Sequence, residues 1–233
     1  MTSDPPAPRP GGGERILTLP GRFHAVIFDL DGLLLDTEPG WRRAESELLR
    51  RHGDTFTEAD AAASLGTPVD TVIERYATRL GMGDEGRAEL LVELMDLARL
   101  EYAGPIPFRA GAAELLRALR GRVALGVASN TPRDLVGQAL ESAALTGSFD
   151  AVVTADDVPR PKPAPDVYLE ACRRLGVVPS TAVALEDSAV GISAARMAGL
   201  TVIAVPESSV VDTSAADHVA ASLVELVPGG KAR

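Results

Sequence analysis

Four short stretches of this chain combine acidic, basic, hydroxyl and amide side chains in patterns suited to chemistry on an anion. In Asp29-Leu30-Asp31-Gly32 two carboxylates lie two residues apart after an apolar run, so an extended backbone turns both to one side. Acids held together in that way need a cation or a shared proton, although the same letters also describe a strand end followed by a polar turn. Ser129-Asn130-Thr131-Pro132 sets a hydroxyl and an amide just ahead of a helix start. That is either an anion cradle or a plain cap, with Thr131 as the N-cap and Pro132 in the first turn. In Arg160-Pro161-Lys162-Pro163-Ala164-Pro165-Asp166 prolines stiffen a loop around a single lysine, which is a presented ammonium or a solvated one. The chain has 21 Arg but only two Lys, Lys162 and Lys231, a mild sign that a compact ammonium is wanted at position 162. Leu185-Glu186-Asp187-Ser188 places two adjacent acids before a helix that Ser188 caps. Such a pair suits Mg²⁺, which takes oxygen ligands and keeps several waters, though Asp187 and Ser188 are each ordinary capping residues as well.

Together the four stretches make a kit for phosphoryl transfer to a carboxylate. One Asp attacks phosphorus, and a second protonates the leaving oxygen and then activates water. Lys, Ser and a divalent ion disperse the charge on the phosphoryl oxygens. The kit works only if distant segments bring these residues to one place.

The surrounding pattern supplies that. Five nearly continuous apolar runs read as buried parallel strands: Ala25–Leu30, Val123–Ser129, Ala151–Thr154, Ala182–Leu185 and Thr201–Val205. Helical stretches alternate with the later ones: Ala112–Arg120, a segment from Thr131 to about Ala143, one from after Pro163 to Gly176, and Ser188–Met197. This alternation predicts an α/β fold, a Rossmann-like doubly wound parallel sheet, whose ligands bind at the carboxyl ends of the strands. All four motifs stand at such ends. Between the first two strands no strand-like run occurs. Trp41–Arg51, Glu58–Ser64, Val69–Leu80 and Glu85–Tyr102 read as helices, the last with Leu90, Leu91, Leu94, Leu97 and Ala98 at helical spacing. The stretch is too long for an ordinary crossover and predicts an inserted all-helical domain. The expected organisation is a tail over 1–21, a core over 22–37 and 105–228, the insert over 38–104 and a short tail over 229–233.

Composition narrows the classes further. Of 233 residues, 45% are apolar and 24% charged, which excludes a disordered, collagen-like or coiled-coil chain. Asp plus Glu is 33 against 23 Lys plus Arg, a net charge of −10 that suits neither nucleic-acid polymers nor anionic membranes. Cys172 is the single cysteine, so an internal disulfide or cysteine-cluster metal site is excluded, and the three histidines are scattered. No apolar run is long enough for a membrane span and no secretory pattern opens the chain, so a cytoplasmic protein is expected. The oligomeric state is left open between monomer and weak dimer.

The order DLDG, VASN, KPAPD, LEDS resembles the haloacid dehalogenase-like superfamily in its branch with a helical cap, which holds phosphatases and β-phosphoglucomutase-like enzymes. The likeness runs from about Phe23 to Leu226, and DLDGLLLDTEP and DSAVGISAARMAGL match over many positions. The resemblance implies Asp29 as a nucleophile that forms an aspartyl-phosphate and also binds Mg²⁺. It implies Asp31 as general acid and base, with its backbone carbonyl on the metal. Ser129 and Asn130 are implied as phosphate binders, and Lys162 as the bridge between nucleophile and phosphate. Asp187 is implied as a direct metal ligand, and Glu186 as one acting through water or orienting Lys162. The helical insert is implied as a mobile cap that excludes water and selects the substrate.

The expected activity is therefore Mg²⁺-dependent hydrolysis of a small phosphorylated metabolite. Asp31 argues against the dehalogenases, which lack an acid there, and a cap without lysine argues against phosphonate hydrolases. A sugar phosphomutase is the alternative, weakened by Trp41 where the β-phosphoglucomutases have histidine and by the loop Leu65-Gly66-Thr67-Pro68-Val69, which lacks their arginine. A phospho-aspartate receiver or a degenerate binding module is the non-enzymatic alternative. Trp41, Arg42, Arg43 and the Gly66-Thr67-Pro68 loop are candidates for substrate contact, while Cys172 reads as a small core residue.

Overall fold

A computed structural model describes residues 23–228, so the expected tails over 1–21 and 229–233 lie outside the described residues. Six strands form one parallel sheet in the order β3-β2-β1-β4-β5-β6. They are β1 (Ala25–Phe28), β2 (Ala124–Ala128), β3 (Ala151–Val153), β4 (Ala182–Glu186), β5 (Thr201–Ala204) and β6 (His218–Val219). The five predicted strands are present, each within a residue or two of the expected bounds. The sixth is an exposed two-residue edge strand that no apolar run announces.

β1 occupies the middle because its chain is apolar on both faces, as parallel strands covered on two sides must be. Its side chains alternate between two cores. Val26 and Phe28 join the larger one, with Leu125, Val127, Val183 and Leu185. Ala25 and Ile27 join the smaller one, with Ala182, Ala184, Val202 and Ala204. Helices α7 (Asp166–Leu175) and α8 (Ala189–Met197) cover this second face, where alanines on the strands let them sit close. α5 (Ala112–Leu119) and α6 (Arg133–Ser142) contribute Leu115, Leu119, Leu135 and Val136 to the first.

Between β1 and α5 the chain forms four helices: α1 (Glu38–Arg51), α2 (Glu58–Ser64), α3 (Val69–Leu80) and α4 (Asp84–Tyr102). Their starts follow local chemistry. Pro39 sits in the first turn of α1, Thr57 and Asp60 form a reciprocal capping box at α2, and Pro68 immediately precedes α3. Leu48, Ile73, Tyr76, Leu90, Leu94 and Ala98 close their shared interior and merge with the larger core. The strand-free reading of this stretch holds, apart from a small flap in which Leu35 bridges Asp31 and Phe108. No helix among the described residues is long and apolar enough to cross a membrane.

Three helix starts differ clearly from expectation, and α1 departs most, beginning at Glu38 instead of Trp41 with Pro39 in its first turn. α6 begins at Arg133, because Pro132 is extended (ψ 150°), and the Arg133 N–H is bonded by Asp156 rather than by Thr131. α7 begins at Asp166, with Pro165 as its N-cap, so Pro163 to Pro165 remain loop.

Candidate active site

Parallel register carries the motif residues to one rim. Phe28 is level with Val127 of β2 and Leu185 of β4, so the residues that follow each strand emerge side by side. Asp29 continues the ladder by donating its N–H to the Leu185 carbonyl at 3.0 Å, and Ser129 does the same to Val153. Asp29, Glu186 and Asp187 thus come together with carboxylate oxygens within 4.8 Å of one another, all three buried.

Lys162 reaches this cluster from the proline loop. Its Nζ donates to Asp29 Oδ1 and Glu186 Oε1, each at 2.5 Å, and the side chain is 2% exposed. The ammonium also stands 5.2 Å from the centre of the Tyr168 ring, and the Tyr168 hydroxyl donates to Glu186 Oε1. Burial alone would lower the lysine pKa, but the carboxylates of Asp29 and Glu186 outweigh it and hold the group well above its ordinary value. Asp29 and Asp187 are displaced in the opposite sense to ordinary carboxylates. Burial pushes both up, neighbouring acids push further, and Lys162 only partly opposes. With all three carboxylates ionised against one ammonium the cluster would carry two negative charges, which one divalent cation would offset. A hard, all-oxygen donor set with that deficit fits an ion such as Mg²⁺.

Asp31 lies on the same cleft but in another environment. Thr37 and Tyr102 donate to its Oδ1 at 2.8 and 2.6 Å, and Ser129 and Thr131 donate to its Oδ2 at 3.0 and 2.8 Å. Thr131 is therefore no helix cap: with Pro132 extended, its hydroxyl turns to Asp31. Ser129 Oγ in turn accepts the Thr131 N–H at 3.0 Å. Asn130, expected as an anion binder, here fixes backbone. Its Oδ1 accepts the Lys162 N–H at 2.8 Å, and its Nδ2 donates to the carbonyls of Lys162 and Gly66, each at 3.1 Å. Ser188 caps α8 as expected, accepting the Gly191 N–H at 3.1 Å. Gly191 itself went unnoticed in the sequence. A Cβ there would fall 2.0 Å from Glu186 Oε1, so only glycine lets the first turn of α8 pass the carboxylate.

A cleft opens between this rim and the four inserted helices. Its floor holds Asp29, Asp31, Ser129, Asn130, Thr131 and Lys162; its roof and walls include Trp41, Glu45, Ser64, Gly66, Thr67 and Val69. Among the substrate-contact candidates, Trp41, Gly66 and Thr67 face the cleft. Arg42 and Arg43 do not, being paired with Glu58 and Glu101 at the surface. Cys172 is buried in the smaller core, where burial raises its thiol to about 11. Several site residues escaped the sequence reading: Thr37, Tyr102, Tyr168, Glu45 and Ser64. Glu45 and Ser64 line the cleft, while Thr37, Tyr102 and Tyr168 bond the carboxylates of Asp31 and Glu186 from outside the lining.

The chain is similar to known proteins in sequence and in fold. A model of the haloacid dehalogenase-like hydrolases matches residues 23–199. Hexitol phosphatase B of Escherichia coli K12 is 33% identical over 192 residues, covering 82% of this chain and 86% of that protein. Validoxylamine A 7'-phosphate phosphatase of Streptomyces hygroscopicus is 36% identical over 180 residues, 76% of this chain and 83% of that one. Among solved structures, CbbY of Rhodobacter sphaeroides in complex with phosphate superposes with a TM-score of 0.79 at 30% identity, covering 87% of this chain and 96% of that one.

Proposed function

This chain belongs to the haloacid dehalogenase-like hydrolases, and from that membership we propose a Mg²⁺-dependent phosphatase that hydrolyses a small phosphorylated sugar or polyol through an aspartyl-phosphate. The observation that carries the reading is the buried contact of Lys162 with Asp29 and Glu186 beside Asp187.

Asp29 attacks phosphorus, displacing the ester oxygen, and becomes an acyl phosphate. Asp31, the other carboxyl on the cleft floor, gives a proton to the departing oxygen and later takes one from the water that attacks phosphorus. Lys162 stays an ammonium and offsets charge on the transferring oxygens, while Ser129, once it leaves Asp31, offers its hydroxyl to one of them. Asn130 keeps the Lys162 backbone in place. Asp29, Glu186, Asp187 and the Asp31 carbonyl would hold Mg²⁺, which would supply electrostatic stabilisation of the phosphoryl group. Helices α1–α4 act as a cap that excludes water and chooses the substrate. Printed names of relatives, hexitol phosphatase and validoxylamine A 7'-phosphate phosphatase, support a sugar or polyol phosphate.

A phosphomutase is the weaker reading. Returning a phosphoryl group to another oxygen of a sugar phosphate requires holding a doubly phosphorylated sugar. Among the described residues that line the cleft, Lys162 is the only cation, and it serves the first phosphoryl site. The test is phosphate release from a panel of sugar and polyol phosphates, with and without Mg²⁺, for the protein and Asp29→Asn. The expected outcome is metal-dependent turnover that Asp29→Asn lowers about a thousandfold or more. Full activity in Asp29→Asn, or no release from any ester, overturns the proposal.

A further inference from the structure

Above the catalytic floor, the cap presents one buried carboxylate with a free oxygen. Glu45, in α1, is 4% exposed yet lines the cleft. Its Oε2 accepts hydrogen bonds from Ser64 Oγ of α2 at 2.7 Å and from the Tyr76 hydroxyl of α3. Ser64 is fixed in turn by Arg75, whose Nη2 donates to Ser64 Oγ at 2.8 Å. Three helices therefore converge to hold one side chain in one orientation. Its other oxygen, Oε1, has no hydrogen-bond partner among the described residues. Val69, Val72, Leu94 and Trp41 line the same cleft. A rigidly held acceptor that lines the cleft is matched by a donor from the occupant.

The charge of the cleft adds a second constraint. Glu38 and Glu45 both face it, and no Arg or second Lys among the described residues lines it. Arg75 bonds Ser64 and the Ala63 carbonyl and does not line the cleft. A substrate carrying one phosphoryl group meets its cation at Lys162. A second anionic group would find no facing cation in that space, so its desolvation would go uncompensated.

Resting on the phosphatase reading, we infer that Glu45 is a specificity-determining residue: it accepts a hydrogen bond from a hydroxyl on the non-phosphorylated end of the substrate and, with Glu38, excludes substrates that carry a second anionic group there. The substrate class is thereby a neutral polyol or sugar bearing a single phosphate, as opposed to a phosphorylated acid or a bisphosphate.

Sorbitol 6-phosphate and 6-phosphogluconate form a suitable pair, because they differ only at the far carbon, a hydroxymethyl group in one and a carboxylate in the other. The experiment measures kcat/KM for both, and for p-nitrophenyl phosphate, in the protein and in Glu45→Gln. The unsubstituted protein should prefer sorbitol 6-phosphate by about a hundredfold or more. In Glu45→Gln the Ser64 and Tyr76 donors keep the side-chain oxygen and turn the amide N–H₂ toward the cleft, so an acceptor becomes a donor. The preference should then fall about tenfold or more, through a loss on the polyol and a gain on the acid. A preference within about threefold of unity in the unsubstituted protein overturns the inference, and this arm needs no variant to fold. So does a Glu45→Gln protein in which all three esters change in the same proportion, the mark of a purely structural side chain. Release from p-nitrophenyl phosphate alongside either failure leaves the phosphatase reading standing, whereas release from none of the three overturns both.

Discussion

Replacing Lys162 by methionine removes a charge while keeping most of an unbranched stem. In the metal-free protein the ammonium bridges two buried carboxylates, at 2.5 Å each, and is the only cation among the described residues that line the cleft. Removing one partner from a buried ion pair costs about 3–5 kcal/mol, since the remaining charges stay desolvated. Protonation of one carboxyl limits the loss, which places the expectation toward the lower end. At about 2–4 °C per kcal/mol for a chain of this size, Lys162→Met should melt about 6–20 °C lower without metal. The cluster also loses the one cation that its carboxylates share. A divalent ion should therefore raise the melting temperature more in Lys162→Met than in the unsubstituted protein, because binding to the native state adds to stability. The assay is calorimetry or circular dichroism with EDTA and with increasing Mg²⁺. Melting within about 2 °C of the parent in EDTA, or a smaller metal-induced rise in the variant, refutes the charge argument built on this site.

Other outcomes follow from the same geometry. Asp157 is held below the ordinary carboxylate range: burial would raise it, but hydrogen bonds from Arg174, Arg133 and Thr154 outweigh burial. A depressed folded value adds stability above the unfolded pKa and loses it as pH falls, so Asp157→Asn should cost about 2 kcal/mol near pH 7, with the gap closing below about pH 4. An equal gap at pH 7 and pH 3 in urea unfolding contradicts this. Tyr102→Phe removes one of the four hydroxyl donors to Asp31 and should lower kcat about tenfold with KM nearly unchanged; a loss confined to KM speaks against a role in positioning the acid. Gly66 has φ +66°, and a Cβ there would lie 2.5 Å from Ser188 Oγ. Gly66→Ala should therefore displace the loop and raise KM about tenfold, and an unchanged KM shows that the loop does not shape the cleft.

The strand-end residues were legible because each polar group follows an apolar run and marks the point where the chain leaves the sheet. Parallel order then leaves little choice about which edge they share. Asp29 and Asp187 are far apart in sequence, yet they meet because β1 and β4 are neighbours, whereas Lys162 joins them through a loop that Asn130 holds in place. Tyr102 and Glu45 were not legible, for their roles depend on how four helices pack, and at the level of sequence they are ordinary helix residues. Thr131 was misread because Thr-Pro is a good cap signal, and the competing acceptor, Asp31, lies a hundred residues earlier in the chain. β6 escaped because its two residues are exposed and carry no periodic signal. Asn130 was found, but the bonds of its amide to the backbone of Lys162 and Gly66 were not legible, because both partners are distant in the chain.

That amide touches both halves of the cleft. Asn130 clasps the Lys162 backbone from both sides, and the same nitrogen that completes the clasp also holds the Gly66 carbonyl of the loop overhead. The segment over the cleft and the segment that carries the ammonium are thereby tied to a single amide, so the spacing between roof and floor is set at one residue.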